Sequence, residues 1–291
     1  MSAKKAGGKW LWGVLSTVPL FAIVLIFEFI PVTALILRSF FPDEGTLRFS
    51  FDNYLDAFAS QACLKAVLNS LKISALSSAA GVAAAYGILR AARDAGAKAG
   101  RLITSLLAMS SNLVGVPLAF SFMILLGNSG LLLKVAQKWG IDALAGFDLY
   151  SSGGLLLLYT FFQIPLAALL LLPSFRLIER ELEDAGLVLG GKEAFFWRRV
   201  GIPMLLPSVV DALSIMFANS LCAYGTAYAL LMNNFPLLSL NISSAYVGEM
   251  VSRPGQGAAL SVMLMLIMCL VITVNGILRK RTSRWKNETI G

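Results

Sequence analysis

Six long apolar runs dominate the chain, at roughly residues 11–37, 66–89, 102–126, 153–173, 207–231 and 256–278. A helix needs about 20 apolar residues to cross a hydrocarbon core, so the pattern predicts six transmembrane helices. One interruption differs from the rest. Between the fourth and fifth runs, Arg176–Pro207 reads RLIERELEDAGLVLGGKEAFFWRRVGIPMLLP. Glu179, Glu181, Glu183 and Asp184 crowd the start of a helical stretch and Arg198 and Arg199 its end, an order that suits the helix dipole. Gly190-Gly191 breaks that helix, and a second short one carries Phe195, Phe196 and Trp197. Pro203 prevents simple continuation and Pro207 opens the next span. The stretch therefore predicts a short helix–turn–helix on the membrane surface. Ala185, Gly186 and Gly190 leave one side of its backbone bare for another protein to approach.

Composition agrees with a membrane protein. Apolar residues make up 57% and charged residues 14% of the chain, with a mean hydropathy of +0.77; soluble domains sit near half and a quarter. The net charge of +8 raises the question of nucleic acid, and its distribution answers it. With both termini in the cytoplasm, most Lys and Arg fall inside: Lys4, Lys5 and Lys9, then the groups within 90–101, 176–199 and beyond Leu278. That asymmetry is the positive-inside rule, not a nucleic-acid face. The first run is too long for a signal h-region and no small-x-small site follows it, which predicts an uncleaved span. The chain contains no His, which excludes histidine-based catalysis and most transition-metal sites. Cys63, Cys222 and Cys269 lack disulfide or zinc spacing. No catalytic residue and no metal ligand are assigned. The fold class is an all-α polytopic membrane protein. Residues 1–62 form the tail, first span and external loop, 63–282 the transmembrane core with its loop at 176–207, and 283–291 a basic cytoplasmic tail.

Within the polar loop, Asp184-Ala185-Gly186 is followed by Gly190 and, after nine residues, by Val200-Gly201-Ile202-Pro203. This spacing resembles the EAA loop of the permease subunits of bacterial ABC importers: E-A-A, three residues, G, nine residues, I-x-L-P. Gly190 and Pro203 match outright, while Asp184, Gly186, Val200 and Ile202 are conservative departures. Asn69-Ser70-Leu71, Ala85-Tyr86, Phe217–Leu230 and Ala258-Ala259-Leu260-Ser261 are similar to the same family, so the resemblance covers most of residues 64–278. They are less specific than the loop, and point toward its polyamine, ferric-iron, thiamine and phosphonate branch.

The resemblance implies that the loop is a cytoplasmic coupling helix between spans four and five, docked in a groove of an ATP-hydrolysing subunit. Glu183, Asp184, Ala185, Gly186 and Gly190 would carry that coupling, with Ile202 and Pro203 anchoring the loop to the bundle. It further implies two ATP-binding subunits, a second permease, either a different chain or a copy of this one, an external substrate-binding protein, and a bacterial inner membrane. ATP and magnesium would sit on the partner, with no cofactor and no nucleic acid on this chain. Gly186 to Lys192 has P-loop spacing, but Glu193 stands where Ser or Thr must hold magnesium and no strand precedes it.

Polar residues inside spans are expensive and are functional candidates by default. Ser110, Ser111, Asn112 and Pro117 interrupt the third span, Gln163 and Pro165 the fourth, and Asp211, Ser214, Asn219, Tyr224 and Thr226 the fifth. Ser111, Asn112, Asp211, Ser214, Asn219 and Tyr224 are the candidates for lining a translocation pathway. Asp211, one turn past Pro207, either lines it or bonds the loop or a helix end. Glu28 faces either a partner helix or a cavity. Lys65, Asn69 and Lys72 share a helix face and either line a wet vestibule or snorkel outward. Outside the spans, Phe51-Asp52-Asn53-Tyr54 should cap and start a short interfacial helix, and LLLKVAQKWGI, from Leu131, should form an amphipathic one.

Two other classes compete with an importer subunit. An ion-gradient carrier wants paired ionisable groups at midplane and related halves; Glu28 and Asp211 are the clear intramembrane acids, and no repeat is apparent. A non-transporting scaffold would leave the glycine-marked loop without a purpose. The cargo stays open: Asp211 and Glu28 suit a cation, Lys72 an anion.

Overall fold

The computed structural model describes residues 17–43, 48–139, 147–178, 180–188, 190–232, 234–247 and 253–288. Lys4, Lys5, Lys9, Glu179 and the last three residues lie outside the described residues. The described chain is helical, with no strand. In order it forms α1 (Thr17–Arg38), α2 (Asp52–Ala59), α3 (Gln61–Asp94), α4 (Ala97–Ser110), α5 (Val116–Leu126), α6 (Leu131–Lys138) and α7 (Ser152–Arg176). It continues with α8 (Arg180–Val188), α9 (Glu193–Cys222), α10 (Gly225–Leu231), α11 (Leu238–Val247) and α12 (Pro254–Glu288). Among the described residues, six stretches are long and apolar enough to cross a membrane, as expected.

Two of the six depart from their expected limits. The expected third span, 102–126, is broken in the middle. Ser111 Oγ and Asn112 Nδ2 both donate to the Ala108 carbonyl, at 2.8 and 3.0 Å, and α4 ends there. Gly115 then turns the chain with φ of +77°, and Pro117 lies in the first turn of α5, where a missing N–H costs nothing. At about 1.5 Å per residue, α4 is too short to cross about 30 Å of hydrocarbon; the apolar stretch that is long enough runs Val116–Ala136.

The fifth span begins earlier than expected. Pro203 does not interrupt it, because α9 runs from Glu193 to Cys222 through a π turn at Trp197–Gly201. In that turn the Ile202 N–H bonds back to Trp197. The wider turn displaces the carbonyls that the Pro203 ring would otherwise strike.

The chain divides into two compact units, Met1–Gln61 with Ile242–Met265 and Ala62–Asn241 with Leu266–Gly291. In the first, the Asp43 carboxylate accepts from the Gly255 and Gln256 N–H groups at the start of α12, at 2.7 and 3.2 Å. Arg38 lies 3.1 Å from the same carboxylate. The start of α2 is not capped from within Phe51–Tyr54 as expected; Ser50 Oγ accepts from the Asp52 N–H at 3.1 Å instead. Asn53 is instead buried and donates to the Ser39 and Phe41 carbonyls, pinning the loop after α1.

In the second unit one apolar cluster joins α3, α5, α7, α10 and α11, and another joins α3, α7 and α9. One contains Ile73, Leu158, Phe162 and Leu230; the other contains Val82, Ala168, Leu171, Trp197 and Met216. Between them lie three polar residues, one each on α3, α7 and α9. Gln163 Nε2 donates to Ser77 Oγ at 2.7 Å, and Ser77 Oγ meets Ser220 Oγ at 3.1 Å. Side-chain bonds of this kind link spans where water is absent. Gly81 permits the crossing: a Cβ there would lie 3.0 Å from Gln163 Cβ. Gly81→Leu should therefore force α3 and α7 apart and lower stability by about 1–3 kcal/mol. Thermal unfolding in detergent measures it, and an unchanged midpoint would contradict the close crossing.

Candidate functional site

The polar loop folds as a helix–turn–helix for local reasons. α8 ends in a Schellman turn: the Gly190 N–H bonds to Leu187 O at 2.9 Å and the Gly191 N–H to Gly186 O at 3.1 Å. Gly190 has φ of +83°, which a side chain tolerates poorly. The apparent P-loop glycines thus terminate a helix. The chain reverses and enters α9, which brings Phe196 and Trp197 into the core.

Trp197 is the hub. Its Nε1–H donates to Glu183 Oε1 at 3.1 Å, and Arg93 Nη1 donates to Glu183 Oε2 at 2.6 Å. The Arg90 guanidinium sits 3.9 Å over the indole and also pairs with Glu193. Tyr86 and Phe175 approach the same ring, with centroids 6.5 and 6.3 Å away. One indole thereby joins α8 to α3, α7 and α9. Gly201 exists for that indole, since a Cβ there would lie 2.6 Å from it.

The expected coupling residues separate into two groups. Asp184 and Ala185 are exposed, and with Glu181 and the 87% exposed Val188 they form one outward stripe at i, i+3, i+4 and i+7. Glu183 and Gly186 belong to the other side. Glu183 is spent on Trp197 and Arg93, and Gly186 faces Phe196, whose ring would be 3.2 Å from an added Cβ. Gly186 is therefore bare for an internal neighbour, contrary to the expectation that it leaves room for another protein. Ile202 and Pro203 do not anchor the loop. Both are exposed, Ile202 at 46%, because the π turn rotates Trp197, Gly201 and Leu205 inward instead.

The pathway candidates have mixed fates. Ser111 and Asn112 end α4, as described. Asp211 accepts from Asn275 Nδ2 at 3.1 Å and lies 3.7 Å from Arg279, so it tethers α9 to α12 rather than the loop. Ser214 bonds back to Val210 O at 3.1 Å in its own helix. Asn219 is half-buried, and Tyr224 is exposed and stacked on Tyr228 at 5.3 Å. Asn69 donates to Pro236 O at 3.1 Å, whereas Lys65 and Lys72 are exposed. Glu28 is also exposed, within a π turn at Leu25–Phe29.

Sequence reading missed the layer of Ser77, Gln163 and Ser220, where Gln163 Oε1 has no hydrogen-bond partner among the described residues. Beside Ser70, Ser74 and Ser220 lies a cavity of about 10 Å3, close to the least volume that holds one water. Only Gln163 carried a signal in the sequence, as a polar residue inside an apolar run.

No family model matches the chain. The molybdenum transport system permease protein ModB of Mycobacterium bovis is 26% identical over 180 residues, covering 60% of this chain and 64% of that protein. A "Probable sulfate transport system permease protein cysT" from Helicosporidium is 23% identical over 168 residues, 57% of this chain and 58% of that protein. The match thus spans less than two thirds of each relative's length.

In three dimensions the chain is similar to one from a bacterial ABC transporter involved in the import of alginate. The TM-score is 0.71 at 16% identity, covering 96% of this chain and 98% of that one. A chain of the MetNI methionine ABC transporter gives 0.58 at 15% identity over 75% of this chain and 95% of that one. The resemblance to ABC importer permeases therefore holds in sequence and in fold, and the chain is a multi-pass membrane protein. The relatives' names, molybdenum and sulfate, are not among the four cargoes of the expected branch.

Two substitutions test the loop's construction. Glu183→Ala removes both charge-assisted bonds and should cost about 2–3 kcal/mol, seen as a lower melting temperature and faster proteolysis within 176–207. Gly190→Ala should cost about 1–2 kcal/mol, and Gly190→Asn less, in the same assays.

Proposed function

We propose that this chain is a translocating permease subunit of an ATP-driven ABC importer. The observation that carries the proposal is the outward stripe of Glu181, Asp184, Ala185 and Val188 on a helix clamped through Trp197 to three other helices. A partner that moves this stripe moves α3, α7 and α9 with it. The partner is an ATP-hydrolysing subunit, two per transporter, which holds ATP and magnesium; this chain performs no chemistry. Both termini and the loop face the cytoplasm of a bacterial inner membrane. A second permease subunit completes the pathway, and an external binding protein delivers the cargo. The relatives named for molybdenum and sulfate, and structural neighbours named for alginate and methionine, span several chemistries, so cargo selection belongs to that binding protein. The gradient-driven alternative loses ground because Asp211 is held by Asn275 and Arg279 instead of standing ready to exchange an ion.

Co-purification of the full chain in detergent with candidate ATP-hydrolysing subunits tests the proposal. Ala185→Arg and Val188→Arg alter exposed positions, and should keep the wild-type melting temperature while reducing the associated ATPase by about tenfold or more. If no ATPase accompanies the wild type, or the variants retain it, the coupling assignment is wrong.

A further inference from the structure

The two apolar clusters of the second unit never share a stretch of helix. On α7 one cluster ends at Phe162, and the other, which holds Trp197 and with it the polar loop, begins at Ala167. On α3 the boundary falls between Ile73 and Val82, and along α9 and α10 between Met216 and Ala227. The third apolar run divides the same way: Leu107 of α4 packs against the loop-side cluster, and Leu118 of α5 belongs to the far one. Four helical paths therefore connect two packed bodies. Ser77, Gln163 and Ser220 lie on three of those paths, between the clusters.

Each path has a weakened backbone there. Pro165 in α7 has no N–H to offer the Phe161 carbonyl. In α3 the Ser77 and Ser78 hydroxyls both bond to the Ser74 carbonyl, a back-bond that often bends helices. The third run breaks between Ser111 and Gly115. The fifth breaks at Ala223, where the chain turns extended between α9 and α10 and Tyr159 Oη donates to the freed carbonyl. These two breaks touch, since a Cβ on Gly225 would lie 3.8 Å from Gly115 Cα. Helices kink only for such local causes, and here four of them coincide. Packed apolar clusters hardly deform, so bending collects between them. The polar residues there suit it: hydroxyls can exchange partners, and Gln163 Oε1 has none among the described residues. The cavity of about 10 Å3 leaves room beside Ser74 and Ser220.

We propose that this level is a transverse hinge, about which the loop-side half of the second unit, carrying α4, α8 and most of α9, tilts against the half built on α5 and α10. The bond from Trp197 to Glu183 ties α8 to the loop-side half, so a pull on the polar loop reaches the hinge. The device goes beyond the transport reading and does not require it. A chain that moved as one body would still couple to a partner, so failure of the hinge leaves that reading untouched.

The test uses the full chain in lipid nanodiscs, with Cys63, Cys222 and Cys269 replaced by Ala. Spin labels go on exposed positions, through Ile124→Cys and Leu157→Cys in the far half and Leu102→Cys and Leu206→Cys in the loop-side half. Each site serves in one crossing pair and one internal pair, so the freedom of the label itself cancels. Pulsed electron resonance should give distance distributions for Ile124–Leu206 and Leu157–Leu102 that are wider than the internal ones by about twofold or more. Pro165→Ala returns an N–H to α7 and should narrow the crossing distributions. Pro173→Ala makes the same change about two turns away, inside the loop-side half, and should leave them as they were. Crossing pairs no wider than internal ones overturn the hinge, a comparison that depends on no proline variant folding. A width that Pro165→Ala leaves unchanged, or that Pro173→Ala narrows equally, overturns it as well.

Discussion

The carboxylate of Glu183 holds the loop to the bundle. It receives an indole N–H from Trp197 and a guanidinium N–H from Arg93, and both are bonds to a charged acceptor, stronger than neutral ones. Stacking of Arg90 on the same indole adds a cation–π contact to the outer side of the ring. A surface helix tied this way is no longer an appendage: a displacement of α8 must carry α3, α7 and α9 along or break these bonds. Force can pass through such a cluster because its members come from separate helices and are buried or half-buried.

The same unit solves a second problem, which is how to link spans in a solvent that supplies no hydrophobic force between them. Its helices carry two apolar clusters with a layer of Gln163, Ser77 and Ser220 between. The polar layer specifies which helix faces which, since an unpaired hydroxyl or amide in hydrocarbon is costly. Close approach at Gly81 allows the bonds to form. Asp211 performs a related task nearer the middle of α9, where Asn275 and Arg279 share its charge. Intramembrane polar groups in this protein therefore serve assembly as well as any passage of cargo.

Much of the loop was legible before its coordinates. A helix ending at Gly190-Gly191 and a second one bearing Phe195 to Trp197 follow from the glycines and the amphipathic pattern, because turn geometry is a local property. The break at Ser110–Asn112 was visible too, as polar residues inside an apolar run. That it ends a helix outright depends on two side chains meeting the Ala108 carbonyl and on the φ of Gly115. Pro203 was misread for a related reason: a proline forbids one hydrogen bond, but a π turn ahead of it lets the helix continue, and the hydrophobic pattern does not signal that turn.

The sequence by itself determined the all-α class, six spans, and the position of a surface helix–turn–helix. These depend on hydrophobic length, charge asymmetry and glycine placement, each of which is read within a few tens of residues. Tertiary structure alone decided which side of α8 looks inward. Glu183 and Gly186 differ from Asp184 and Ala185 only by helical phase. That phase acquires meaning when Trp197 and Arg93, distant along the chain, arrive on one side of it. Burial, not composition, turned one acidic residue into an internal clamp and left its neighbour on the surface.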